Sequence, residues 1–329
     1  MGVSNFDIIQ ANKLTGAGIS DSGKSIYLCT ATTDGSYALL QEWGISSNDV
    51  YTSLTTAVAA LRSGKNDTLY VMPGDHSTAA EVDITQNQVR IVGMSGPNQH
   101  HNSTAGVTGI CRLKTTTTTI ARVLHITGNF VQMENIDTYN NYDAAGNISD
   151  VYIVGKNFYA KNCSFRGGNG ATQNSGDYGV PLLIASTAYA ARFDDCHIGS
   201  AGNATRTGGA GYIIFEAGAG GAGMVQFNNC VFAMRSETNG ATVSGIEVKN
   251  ASLDRLLMFN NCVFYNFSEN WGAIPDYMMN IDQASTFDIL FYGGCGMIGF
   301  DTMTDSARAK TSDPLPHTNA VEALALATS

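Results

Sequence analysis

Five of the seven cysteines, Cys163, Cys196, Cys230, Cys262 and Cys295, recur at a nearly constant interval of roughly 33 residues. A period of that size over five copies marks stacked supersecondary units, none of which can bury its apolar face alone. The flanking text repeats too, in Phe158-Tyr159-Ala160-Lys161-Asn162-Cys163, Phe193-Asp194-Asp195-Cys196, Phe227-Asn228-Asn229-Cys230, Phe259-Asn260-Asn261-Cys262 and Phe291-Tyr292-Gly293-Gly294-Cys295. Side chains alternate faces along a strand, so Cys230 and Phe232 share a face. Phe227 joins them only if the chain bends in between. The residue before each cysteine (Asn162, Asp195, Asn229, Asn261 or Gly294) is of a type that tolerates left-handed backbone. Each copy reads as strand, one-residue bend, strand, with apolar residues inward on both sides.

A second strand set recurs half a coil away, in Leu182-Leu183-Ile184, Tyr212-Ile213-Ile214-Phe215, Gly245-Ile246-Glu247-Val248 and Met278-Met279-Asn280-Ile281. Gly-rich stretches at 166–179, 199–211 and 234–240 separate the sets and read as loops. The pattern predicts an all-β fold, a right-handed parallel β-helix (solenoid) with an N-terminal helical cap and short terminal extensions. The five cysteines are expected to form an inward column of reduced thiols that behave as small hydrophobes. With no CxxC pair, the spacing does not suggest a metal cluster.

Upstream, Leu54, Val58 and Leu61 lie at helical spacing within 50–61, with Asp49 as the expected N-cap and Gly64 as the expected stop. This helix would cover the open end of the solenoid. Strands are expected at 68–72 and 89–93. The division is a β or irregular segment at 1–48, the β-helix with its cap at 49–300, and a tail at 301–329 that caps or docks, with a short helix at 319–327.

A net charge of -10 and a pI near 4.9, with Lys and Arg scattered singly, exclude a basic nucleic-acid stripe. No apolar run reaches the ~20 residues of a membrane span. The opening Met1-Gly2-Val3-Ser4-Asn5-Phe6-Asp7 lacks a charged-then-apolar leader, so the expectation is synthesis in the cytoplasm without a signal peptide. Charged residues are only 14%, leaving Asn, Thr, Ser and 36 Gly to carry the polar surface.

The string Asp67-Thr68-Leu69-Tyr70-Val71-Met72-Pro73-Gly74-Asp75-His76, followed by Val89-Arg90-Ile91-Val92-Gly93, resembles the start of the pectate-lyase-like superfamily of parallel β-helices. The Phe-x-Asn-Cys-x-Phe rungs are similar to that superfamily's asparagine-bend coils, and the resemblance covers about residues 50 to 300. The superfamily includes lyases, hydrolases, phage tailspikes and inert virion proteins, so fold alone does not decide function. The resemblance, the weakly charged surface and the missing leader together imply a non-enzymatic structural protein of a bacteriophage virion. A capsid decoration or head-spike protein is expected, acting as a homotrimer bound to capsid or other virion proteins and localised in the virion. Two alternatives stand beside it: a tailspike-like polysaccharide lyase or hydrolase, and a glycan-binding adhesin without catalysis.

For the enzyme alternative the candidates come from rung alignment. Glu216, Lys249 and Asp282 fall one period apart just past the second strand set, an acid-base-acid ladder that is catalytic or a surface ion-pair column. Tyr212 and Tyr277 are the candidate sugar platforms. Asp195 is taken up by its bend, which leaves Asp194 exposed, and Glu134 and Asp137 lie on an earlier rung. The GxxxxGKS match at 18–25 leads into a β run at 25–30 where a P-loop needs a helix. The histidines show no ligand spacing and read as surface or loop residues. No cofactor or metal is expected.

Overall fold

The computed structural model describes residues 23–95, 110–117, 120–140, 148–167, 179–199, 205–218, 221–238, 240–250, 253–267, 274–282, 287–304 and 309–311. The expectations for 1–22 and for a helix at 319–327 lie outside these residues. The described strands form three parallel sheets of eleven, eight and eight strands. We name them A, B and C in the order that one coil visits them. A typical coil passes from Tyr159–Lys161 in A, through the bend at Asn162, to Ser164–Phe165 in B and Val180–Ile184 in C. It re-enters A at Arg192–Asp194, one rung on. This is the right-handed parallel β-helix that the repeat predicts.

Each sheet turns one face inward, and register stacks like on like. In sheet A the column runs Leu69, Ile91, Met133, Ala160, Phe193, Phe227, Phe259, Phe291. Sheet C carries Ile84, Ile126, Ile153, Ile184, Phe215, Val248, Ile281. The phenylalanine rings stack rung on rung, with centroids 4.6 Å apart for Phe193–Phe227, 5.2 Å for Phe227–Phe259 and 5.0 Å for Phe259–Phe291. Such pairs add about 0.5–1.5 kcal/mol each beyond the area they bury. Phe158, aligned with these by text, sits one inward position earlier, and Ala160 takes its place in the column.

The bends are left-handed: φ is 52° at Asn162, 55° at Asp195, 51° at Asn229, 50° at Asn261 and 83° at Gly294. Asn135, at φ 57°, extends the series one rung upstream, where Ile136 stands in place of cysteine. The bend side chains bond to one another between rungs. Nδ2 of Asn162, Asn229 and Asn261 donates to Oδ1 of Asn135 (2.6 Å), Asp195 (3.2 Å) and Asn229 (2.9 Å) respectively.

The N-terminal cap differs in detail from the sequence expectation. The helix is Leu54–Ala59 with Ser53 at its N-cap, while Val50–Tyr51 pairs with Ser25–Leu28 as a strand. A β-branched and an aromatic residue beside an open sheet edge favour pairing over a first helical turn. Asp49 lies in a 3-10 turn and holds Lys24 at 2.7 Å. Leu54, Ala57, Val58 and Leu61 plug the end of the core. A second helix, Gly35–Glu42, has no counterpart in the sequence expectation. Asp34 caps it by accepting from Ser36 N at 3.0 Å, and it buries Leu40 with Tyr27, Cys29 and Met72. At the other end the coil continues past 300, with Thr302–Thr304 on sheet C and Ala309–Thr311 on sheet A.

Candidate functional site

The acid-base-acid ladder lies where sheet C ends. Phe215, Val248 and Ile281 are in register, and the next residues, Glu216, Lys249 and Asp282, donate backbone N–H to Ile184, Phe215 and Val248 at 2.8, 3.1 and 2.8 Å. Their side chains engage neighbours outside the column. Glu216 accepts from the Tyr152 hydroxyl two rungs away, and Lys249 Nζ holds Glu247 at 2.6 Å on its own strand. Asp282 is exposed. Burial, then the bond to Glu216, push the Tyr152 phenol up to about 12. A lysine held by a nearby carboxylate on its own strand is poorly set to take a proton from a sugar carbon.

Tyr212 is not a sugar platform. It is fully buried, and its hydroxyl donates to the Tyr265 carbonyl at 2.7 Å. Strand Gly209–Phe215 carries a register shift between Ala210 and Ile213, which lets Tyr212 and Ile213 both enter the interior. Tyr277 is half-buried, opposite Ser244.

The structure places Cys163, Cys196, Cys230, Cys262 and Cys295 in the interior as free thiols. From Cys196 onward each donates to a carbonyl of the preceding rung's sheet A strand: Ala160, Phe193, Phe227 and Phe259, at 3.7, 3.5, 3.5 and 3.4 Å. Burial holds the Cys196 thiol well above its ordinary value, which suits packing and not nucleophilic chemistry.

Asp194 is buried, contrary to the expectation of exposure. It sits at the centre of a polar lattice on the outer face of sheet A, taking Arg192 Nε at 2.9 Å, the Tyr159 hydroxyl at 3.0 Å and Asn228 Nδ2 at 2.6 Å. Gln226 and Asn260 reach Asn228 Oδ1 at 2.9 and 3.3 Å, and Gln226 also reaches the Tyr292 hydroxyl at 3.4 Å. Burial raises the Asp194 carboxyl, but the bonds from Arg192, Asn228 and Tyr159 outweigh it and hold the group below the usual range. The outward positions between the phenylalanines were the signal for this lattice, since alternation sends Asp194, Asn228 and Asn260 to one face.

Glu134 pairs with Arg90 at 2.8 Å, whereas Asp137 is buried on sheet B between Arg112 Nε at 2.5 Å and Arg166 Nε at 2.7 Å. Of the histidines described, His76 is buried, with Nε2 2.7 Å from the Met72 carbonyl, which corrects its reading as a surface residue. Among the described residues no helix is long and apolar enough to cross a membrane.

No protein-family model matches the chain, and no curated protein matches it by sequence. Solved structures do match. A pectin methylesterase in complex with hexasaccharide VII is 13% identical, with a TM-score of 0.54 over 89% of this chain and 82% of that one. Pectin methylesterase PemA from Erwinia chrysanthemi aligns with the same values. Pectate lyase Pel9A aligns over 92% of this chain and 83% of its own at 10% identity, with a TM-score of 0.48. What this chain shares with the two esterases is the β-helix fold.

Proposed function

We propose that this protein is a non-enzymatic structural component of a bacteriophage virion, a rigid β-helical rod of the capsid-decoration or head-spike type that assembles as a homotrimer. The observation that carries the non-enzymatic part is the state of the acid-base-acid ladder. Glu216 is bonded by Tyr152 and Lys249 by Glu247, so the in-register charges are used to tie rungs and strand together. The continuous column of stacked rings and buried thiols supports a mechanical role. The virion assignment rests on the resemblance of the rungs and of the Asn-, Gly- and Thr-rich surface to phage β-helix proteins.

The test is a depolymerisation assay of the purified protein on a panel of bacterial surface polysaccharides, run beside a capsid-binding assay. The expected result is no release of reducing ends or unsaturated sugars, with saturable binding to phage particles. Cleavage that disappears in Glu216→Gln or Asp282→Asn would overturn the reading in favour of a tailspike-like lyase or hydrolase.

A second reading, glycan binding without catalysis, is favoured by the sheet A lattice. Planar amides, a guanidinium and the phenols of Tyr159 and Tyr292 on one flat face match the alternating hydroxyls and apolar faces of a sugar chain. Binding to a member of the panel that is lost in Tyr159→Ala, without any cleavage, would select it.

A further inference from the structure

Among the described residues, strand Val82–Ile84 ends sheet C on its N-terminal side and pairs only with Arg122–Ile126. Its other side meets the cap helix Leu54–Ala59 in place of a further strand. On the outer face of this pair, register sets Asp83 directly opposite His125. His125 Nδ1 is 2.8 Å from Asp83 Oδ1 and 3.5 Å from Glu81 Oε1, and the three donor atoms lie within 4.8 Å of one another.

We propose that Glu81, Asp83 and His125 bind a divalent transition-metal ion of the zinc class, which staples the end strand of sheet C to its neighbour. Three ligands at the 2.0–2.2 Å typical of zinc stand roughly 3–3.5 Å apart in tetrahedral or octahedral geometry. The two separations from His125, 2.8 and 3.5 Å, need shifts of only a few tenths of an ångström, and the two carboxylates close on each other from within 4.8 Å. The fourth position faces solvent, because Asp83 is 60% exposed.

The imidazole is oriented in advance. It stacks on Tyr152 with centroids 5.1 Å apart and planes 10° from parallel, and Tyr152 is itself fixed by its hydrogen bond to Glu216. Metal binding requires the tautomer with the proton on Nε2, leaving the Nδ1 lone pair toward the two carboxylates. A nitrogen donor also selects the metal: calcium takes oxygen ligands, whereas imidazole suits zinc and its neighbours. Two carboxylates and a neutral imidazole match a divalent charge. Arg122 opposes it, with Nη1 3.3 Å from both Glu81 oxygens, and sets a ceiling on affinity.

A whole coil of sequence separates His125 from the two acids, so ordinary ligand motifs do not find the group. The relevant spacing is one turn of the solenoid.

The test is calorimetric titration of the metal-free full chain with zinc chloride, together with melting curves in zinc, in calcium and in chelator. One equivalent is expected to bind at micromolar concentration and raise the melting temperature. His125→Gln and Asp83→Asn should each weaken binding roughly tenfold or more, and Arg122→Gln should strengthen it. Cobalt substitution should give a visible spectrum without a thiolate charge-transfer band, which separates this site from the cysteines. Zinc bound equally well by His125→Gln, no equivalent bound, or calcium stabilisation that survives His125→Gln would each overturn the proposal. If His125→Gln loses its β circular dichroism, the exposed Asp83→Asn carries the same test.

Discussion

The two halves of the solenoid share one geometry and solve the problem of filling it differently. From Ala160 onward the sheet A column advances by nearly equal steps through Phe193, Phe227 and Phe259 to Phe291, a run of rings beside the buried thiols. Upstream, the steps from Leu69 to Ile91, Ile91 to Met133 and Met133 to Ala160 are all unequal, and the interior is aliphatic. The outer face of sheet B diverges in the same way. One register column reads Asp75, Arg112, Asp137, Ser164, His197, Val231, Val263. Its N-terminal members form a buried charge cluster, and its C-terminal members are apolar. Strand spacing dictates only that something of the right size fills each position. On this face of sheet B the repeating coils set apolar residues, whereas the unequal coils set paired charges.

The comparison breaks most visibly through one residue from each half. Asp137→Ala would leave the guanidiniums of Arg112 and Arg166 buried without their shared carboxylate, and breaking such a pair costs about 3–5 kcal/mol. Phe227→Ala opens a cavity between two stacked neighbours, at a similar cost of about 3–5 kcal/mol. Denaturant melts should show both losses. The halves are then told apart by the conservative variants: Phe227→Leu should recover most of the stability and Asp137→Asn little, because an amide cannot neutralise two cations. If Asp137→Asn proved as stable as the parent, the N-terminal cluster would be packing and not electrostatics.

Two buried carboxylates sharpen the contrast through pH. Asp150 accepts from Asn140, Arg166 and Gly167 backbone N–H and from the Thr138 hydroxyl, tying the ends of two B-to-C connections. Burial nevertheless pushes its carboxyl up to about 6. A raised acid favours the fold most when protonated. Its contribution is full below the unfolded value of about 3.9 and is lost as pH rises through about 6. Asp194, held low by Arg192, Asn228 and Tyr159 against its own burial, has the opposite sign. Its contribution is present above the unfolded value and is lost as pH falls through the folded one. Melting temperatures between pH 3 and 7 should therefore change slope in opposite senses in Asp150→Asn and Asp194→Asn. Parallel curves for the two variants would refute the assignment.

How much of this was readable follows from the same contrast. The cysteine column and the left-handed bends were legible because equal coils make spatial neighbours recur at one sequence interval. The Arg112–Asp137–Arg166 cluster and the Glu81–Asp83–His125 group were not, because the unequal coils around them carry no common period to align on. Tyr212 defeats sequence reasoning for a local reason, since the register shift in its strand breaks the alternation on which facing arguments depend. The burial of Asp194 is invisible to alternation because a bond lattice on an outer face hides a charge from water as effectively as a core does. The ladder Glu216, Lys249, Asp282 is in register as its spacing implies, and alternation also puts Glu247 on the face of Lys249, yet Tyr152 reaches Glu216 from two rungs away on the adjacent column, which strand text does not reveal.

The smallest expected effect lies at the bends, where the halves are most alike. Asn229 holds φ 51° and is bonded on both sides, donating to Asp195 and accepting from Asn261. Asn229→Ala should cost about 1–2 kcal/mol for a left-handed residue with a Cβ, plus the loss of two exposed amide bonds. Asn229→Gly removes the same bonds but relieves the backbone, so it should fall clearly short of that cost. The difference between the two variants isolates conformation from hydrogen bonding. The same pair made at Asn135, where the neighbouring inward residue is Ile136, should give the same difference. The bend depends on the backbone alone, and the identity of the buried side chain beside it should not matter. A gap at Asn229 with none at Asn135 would mean that the thiol column helps to set the turn, and the two halves would then differ in their corners as well as in their cores.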